Sequence, residues 1–125
     1  MTDSIRLSSV AINCPAAPAL AAFYASITGG KITYVDDAWA TINGPCGRID
    51  FQTVPDSIPP TWPDPAVPAR MHLDFVVDDL VASEARVLAA GATKFEVQPN
   101  PDHCLVFADP AGHPFCLTTW DDIPL

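Results

Sequence analysis

Two stretches of the chain alternate apolar and polar residues, and each is followed by a stripe of helical period. In the first, Val10 and Ile12 point one way while Ser9, Ala11 and Asn13 point the other, which predicts a strand over 5–13. Pro15 and Pro18 then suit the first turn of a helix. Leu20, Phe23, Tyr24 and Ile27 recur at i, i+3, i+4 and i+7, a single apolar stripe, and Thr28-Gly29-Gly30 supplies its stop. Three shorter strands are predicted at about 31–35, about 38–42 and 48–54, with Asp36-Asp37 and Asn43-Gly44-Pro45 as the turns between them. In the last of these Ile49 and Phe51 share one face, and Asp50 and Gln52 share the other.

The order then repeats. Residues 55–69 carry six prolines around Trp62, a stiff linker whose tryptophan is expected to fold back onto one half. Met71 to Val77 predicts a strand begun by His72, with His72, Asp74 and Val76 on its inward face. Asp78 or Asp79 caps a helix whose buried face is predicted to be Val81, Ala85 and Leu88, and Gly91 ends it. Strands are expected near 93–97, 103–108 and 114–120, the last two joined by Asp109-Pro-Ala-Gly-His113 with its glycine at positive φ. The copies are offset by roughly 62–65 residues, so the fold class is α+β, one domain of two βαβββ modules. Module 1 is set at about 5–54, the linker at about 55–69 and module 2 at about 70–120.

Composition narrows the partners. The net charge of −9 repels nucleic-acid backbones and anionic membrane surfaces, so neither partner is expected. No apolar run approaches the ~20 residues of a spanning helix, and Met1 to Arg6 lacks the apolar core of a signal peptide, which together predict a cytoplasmic protein. Cys14, Cys46, Cys104 and Cys116 show no CxxC spacing and read as small thiols rather than a disulfide framework.

The candidate chemistry gathers around His72, which suits a metal ligand, a general base or a polar wall group. Period-two spacing puts Asp50 with Gln52 and His72 with Asp74, a set able to hold a cation if both faces meet one cavity; otherwise the aspartates serve local hydrogen bonds. Cys116 reads as a buried inert thiol, with a zinc ligand or a nucleophile as the alternatives, His113 as part of its turn, and His103 as a solvated loop residue. Trp39 and Trp120 suit the core, whereas Trp62 in its proline-rich setting suits a lid over a planar ligand. No Ser-His-Asp arrangement, P-loop or dinucleotide fingerprint is present.

Leu20-Ala-Ala-Phe-Tyr24 with Gly29, the tail Phe107-Ala-Asp-Pro-Ala-Gly-His-Pro-Phe-Cys116, and Pro60-Thr-Trp-Pro-Asp-Pro65 before Met71-His-Leu-Asp74 carry a resemblance. The chain resembles the vicinal oxygen chelate superfamily of glyoxalases, bleomycin-resistance proteins and extradiol dioxygenases, and within it the glyoxalase-like domain subgroup. That resemblance implies short sheets curled around a cavity with helices outside, and a homodimer as in many relatives. It also implies four metal-ligand positions, which fall on Ser9, Gln52, His72 and Cys116. Serine is a poor ligand for a divalent cation, and cysteine prefers soft metals. The expectation is therefore a small, largely apolar organic ligand held between the modules by His72, Asp74, Gln52, Trp62, Cys116 and Ser9, with no cofactor and no assigned catalytic residue. The alternative is a divalent-metal-dependent lyase or dioxygenase, with His72 and Gln52 holding a cation that polarises vicinal oxygens. A partner-binding module without a small ligand is the third class.

Overall fold

The computed structural model describes residues 4–45 and 47–120. Its elements run β1 (Val10–Cys14), α1 (Ala17–Thr28), β2 (Lys31–Val35), β3 (Trp39–Gly44), β4 (Gly47–Thr53), β5 (Leu73–Val76), α2 (Leu80–Ala90), β6 (Thr93–Lys94), β7 (Cys104–Ala108) and β8 (Pro114–Thr118). The chain divides into two units, the first ending at Ser57 and the second beginning at Ile58. Each unit is a four-stranded mixed sheet with one helix, in the orders β1-β4-β3-β2 and β5-β8-β7-β6. In both, the first strand lies parallel to the last and the other pairings are antiparallel. The predicted duplication of a βαβββ unit is the fold.

In the first unit, alternation decides the two faces. Ala40, Ile42, Ile49 and Phe51 are buried on the side that meets α1, where Leu20, Phe23 and Tyr24 are also buried. Tyr24 stacks on Phe51 with centroids 5.7 Å apart. Fully burying an aromatic or aliphatic side chain of this size stabilises by roughly 1.5–3 kcal/mol. The stripe read from the sequence is the stripe that packs. α1 carries no side-chain cap of its own at Ala16; instead Thr53 Oγ1, at the end of β4, accepts from the Ala17 backbone N–H at 3.0 Å. Gly29 closes the helix at φ 75°.

The predicted first strand is too long. It starts at Val10 rather than Ile5, and Ile5 and Leu7 stand exposed before it. Alternation alone cannot create a strand where β4 offers no partner: the β1–β4 register begins at Val10 opposite Ile49.

In the second unit Phe75 meets Phe115 edge-on at 6.1 Å, and Phe107 stacks on Phe115 at 5.7 Å, forming the core beneath α2. Asp79 caps that helix, its carboxylate accepting from Val81 N and Ala82 N at 2.9 and 3.1 Å. Gly91 ends it in the left-handed conformation. The helix face is corrected: Val81 is 79% exposed and Leu88 42% exposed, Ala85 is exposed too, and Val87 is buried. The inward line is Leu80, Ser83, Glu84 and Val87, with Glu84 tied to Lys94 Nζ at 2.6 Å. The expected strand over 71–77 is trimmed to β5, so His72 precedes the strand by one residue, and the strand near 93–97 shrinks to two residues.

The proline-rich segment belongs mostly to the second unit. Thr61 N donates to Val67 O at 2.8 Å, and Val67 N donates to Thr61 Oγ1 at 2.8 Å, closing a short loop. Trp62 meets Phe95 edge-on with centroids 5.0 Å apart. Pro59 lies on Gly112, where a Cβ would come within 2.7 Å of the proline ring.

Candidate functional site

Two clusters of polar side chains stand on the sheet faces turned away from the helices, one in each unit. In the first, Asp50 on β4 is 2% exposed and its carboxylate is fully occupied. Ser9 and Thr41 donate hydroxyls to Oδ2 and Oδ1, both at 2.6 Å, and Arg48 donates from Nε at 3.1 Å to each oxygen and from Nη2 at 2.9 Å. Burial, the largest single influence, pushes this carboxyl up. The bonds from Arg48, Ser9 and Thr41 together outweigh it and hold the group at about 2. Asp50 thus serves local hydrogen bonds, one of the two roles the sequence left open. It is no free base: its lone pairs are taken and its charge is compensated.

The second cluster is open. Parallel pairing sets Asp74 opposite Cys116, and antiparallel pairing sets Val106 opposite Cys116. His72 shares their face by alternation, and its Nε2 lies 3.1 Å from Asp74 Oδ1. Both side chains are about half exposed. Burial raises the Cys116 thiol to about 12, reinforced by the charge of Asp74 and a hydrogen bond to it. At neutral pH this cysteine is a protonated donor, not a nucleophile. The cluster borders a cleft of about 390 Å³ walled by Trp62, Ala69, Pro99, Val106 and Pro114, with His72, Asn100, Cys104 and Cys116 as its polar and sulfur groups. Every lining residue comes from the second unit.

Of the residues singled out in the sequence, the structure brings His72, Asp74, Trp62 and Cys116 together. Ser9 and Gln52 stand in the first unit, Ser9 committed to Asp50 and Gln52 exposed on the same sheet face. Cys104, Asn100 and Val106 were not singled out. Cys104 shares the inward face of β7, which alternation from Val106 would have indicated. Asn100 comes from a loop with no such signal. Trp39 donates Nε1–H to Thr41 Oγ1 at 3.2 Å, and Trp120 stacks on His103 at 4.7 Å; neither lines the cleft. His113 belongs to its turn, where Asp109 Oδ1 accepts from Ala111 N and His113 N. Cys14, Cys104 and Cys116 are thiols, and Cys46 lies outside the described residues.

The four-position metal pattern does not fit these residues. Ser9 gives its hydroxyl to a buried carboxylate. Sheet register sharpens the mismatch: with Gln52 and Cys116 taken as equivalents, Asn13 opposite Gln52 matches Asp74 opposite Cys116. Two residues earlier, Ala11 then matches His72. Neither Ser9 nor Ala11 is a competent ligand for the first position of that pattern.

Comparison with known proteins agrees with this architecture. Residues 9–118 match the family model described as a glyoxalase-like domain. The fosfomycin resistance protein FosX from Mesorhizobium loti superposes with a TM-score of 0.69 at 14% identity, covering 93% of this chain and 92% of its own. A glyoxalase/bleomycin resistance protein/dioxygenase family enzyme from Burkholderia phytofirmans gives 0.69 at 18% identity, with 90% and 97% covered. The bleomycin-binding protein from Streptomyces verticillus, solved with copper(II)-bleomycin, gives 0.61 at 16% identity, with 97% and 100% covered. No curated protein sequence matches the chain. The paired βαβββ units and the match over 9–118 establish that the chain belongs to the glyoxalase-like domain family.

Proposed function

We propose that this protein binds a small, largely apolar organic molecule in the second unit's cleft, against Trp62, and reads its polar end with His72, Asp74 and Cys116. The observation that carries this reading is the cleft itself: about 390 Å³, walled chiefly by apolar side chains and bordered by one convergent polar group. Ligand sites in proteins have this composition, and the volume falls toward the lower part of the usual range of roughly 300–1,000 Å³. The family match and the superposed bleomycin-binding and fosfomycin-resistance proteins support a small-molecule role. A thiol held protonated and a histidine bonded to Asp74 offer hydrogen bonds rather than covalent catalysis.

The test is a tryptophan-fluorescence titration with a panel of small planar aromatic and heterocyclic compounds. Saturable quenching at one equivalent is expected, the signal falling in Trp62→Phe and the affinity at least tenfold in Ala69→Trp, which fills the cleft from a loop. Absence of any binder across the panel, or quenching untouched by Ala69→Trp, would overturn the assignment.

A further inference from the structure

The cleft's polar border contains one donor of each kind that zinc favours. A ring nitrogen of His72, a carboxylate oxygen of Asp74 and the Sγ of Cys116 all lie within 4.8 Å of one another. The His72–Asp74 pair is already at 3.1 Å. A tetrahedral zinc ion, with sulfur at about 2.3 Å and nitrogen or oxygen at about 2.0–2.2 Å, separates its ligand atoms by roughly 3.3–3.6 Å. The imidazole and carboxylate therefore stand near coordinating distance, and the thiol needs a shift on the order of 1 Å, within reach of a small rotamer adjustment. The pairing of Asp74 with Cys116 across β5 and β8 fixes the backbones of those two, and His72, one residue before β5, reaches Asp74 at 3.1 Å.

We propose that His72, Asp74 and Cys116 form a binding site for a thiophilic divalent cation, zinc by donor type, built within one unit and open at its fourth position toward the cleft. This differs from the four-position arrangement that the superfamily resemblance implies: no residue of the first unit takes part, and Asp74, which is outside that pattern, supplies the carboxylate. Three protein ligands with one open position is the composition of zinc sites that accept an exogenous ligand, whereas closed four-residue sets serve structure. On binding, the Cys116 S–H bond breaks, its proton goes to solvent and a sulfur–metal bond forms. His72 donates a ring-nitrogen lone pair, and Asp74 exchanges its contact with His72 for one with the cation. Cys104 is not needed, since its thiol lies 3.2 Å from Thr118 Oγ1. The inference deepens the proposed function and rests on the same cleft, adding a cation to which an oxygen or nitrogen of the organic ligand would bind.

Titration of the chelator-treated 125-residue chain with cobalt(II) and zinc(II) tests it. One equivalent of cobalt is expected, with a thiolate-to-cobalt charge-transfer band that zinc displaces. Cys116→Ser abolishes the band, and His72→Ala and Asp74→Asn each weaken binding at least tenfold, with circular dichroism showing all three folded. Ser9→Ala and Gln52→Ala leave affinity within twofold. A band that survives Cys116→Ser, or that Gln52→Ala weakens as much as His72→Ala does, overturns the one-unit site. The same chelator-treated protein is carried through the fluorescence titration of the organic panel. No cobalt band with quenching intact then overturns the metal site and not the cleft.

Discussion

Asp50 and Cys116 occupy the same kind of place, mid-strand on the helix-averted face of the last strand of their sheets, and the two units use that place in opposite ways. Around Asp50 every donor is gathered inward: two hydroxyls and a guanidinium close on one carboxylate. Around Cys116 the neighbours are an exposed His–Asp pair and a cleft. A duplicated topology has produced one sheet face whose polar groups close on a buried carboxylate and one whose polar groups stand half exposed beside a cleft. Burial of a charge requires complete pairing, whereas half-exposed groups tolerate vacancies.

The comparison first presumes that the two cores are equally built. Phe51→Ala and Phe115→Ala remove fully buried rings that hold corresponding places beneath their helices. Each is expected to destabilise by about 3–5 kcal/mol in chemical denaturation. A loss below about 1 kcal/mol from one and not the other would break the structural equivalence.

Next is the chemistry of the open face. With its thiol raised to about 12 against an ordinary 9.0, Cys116 at pH 8 has roughly a thousandth of the usual thiolate fraction. Alkylation by iodoacetamide, followed by peptide mass spectrometry, should be slower by about that factor, and Asp74→Asn should recover part of it. Reaction at the rate of an ordinary cysteine would mean that Asp74 and burial do not govern the site.

The closed face gives a smaller, pH-dependent effect. Asp50 titrates at about 2 in the fold against 3.8 unfolded, so its contribution is fully present above pH 4 and is lost as pH falls through about 2. Arg48 is 43% exposed, and solvent screening reduces the contribution to about 1 kcal/mol. Acid unfolding of Asp50→Asn should show a flatter slope between pH 4 and 2; an unchanged slope would show that the network stores no charge-linked stability.

How much of this was legible in the sequence depends on how far apart the deciding residues lie. α1 could be read because Leu20, Phe23 and Tyr24 form one unbroken stripe. α2 could not, because two helical lines compete. Val81, Ala85 and Leu88 are the more apolar, yet the chain buries Val87 beside Ser83 and Glu84, and Lys94 of β6 takes up the carboxylate. Which line turns inward is set by the sheet, not by the helix. Alternation set Asp74 and Cys116 on the faces of β5 and β8 turned away from Phe75 and Phe115. Their being neighbours depends on a parallel register between residues 42 positions apart, from 74 to 116, that no local pattern encodes. Asp50 shows the same limit: its polar face was readable, but its burial needs Ser9 from across the sheet.

The proline-rich segment read as a lid, and its contacts make it a wall. Pro59 rests on Gly112, Trp62 rests on Phe95, and Thr61 and Val67 close the loop between and beyond them. A tether fixed at several points loses its conformational freedom when the unit folds, not when a guest arrives. Association with the cleft should then be a single encounter without a gating step: the observed rate rises linearly with guest concentration, and differences among guests reside in how slowly they leave.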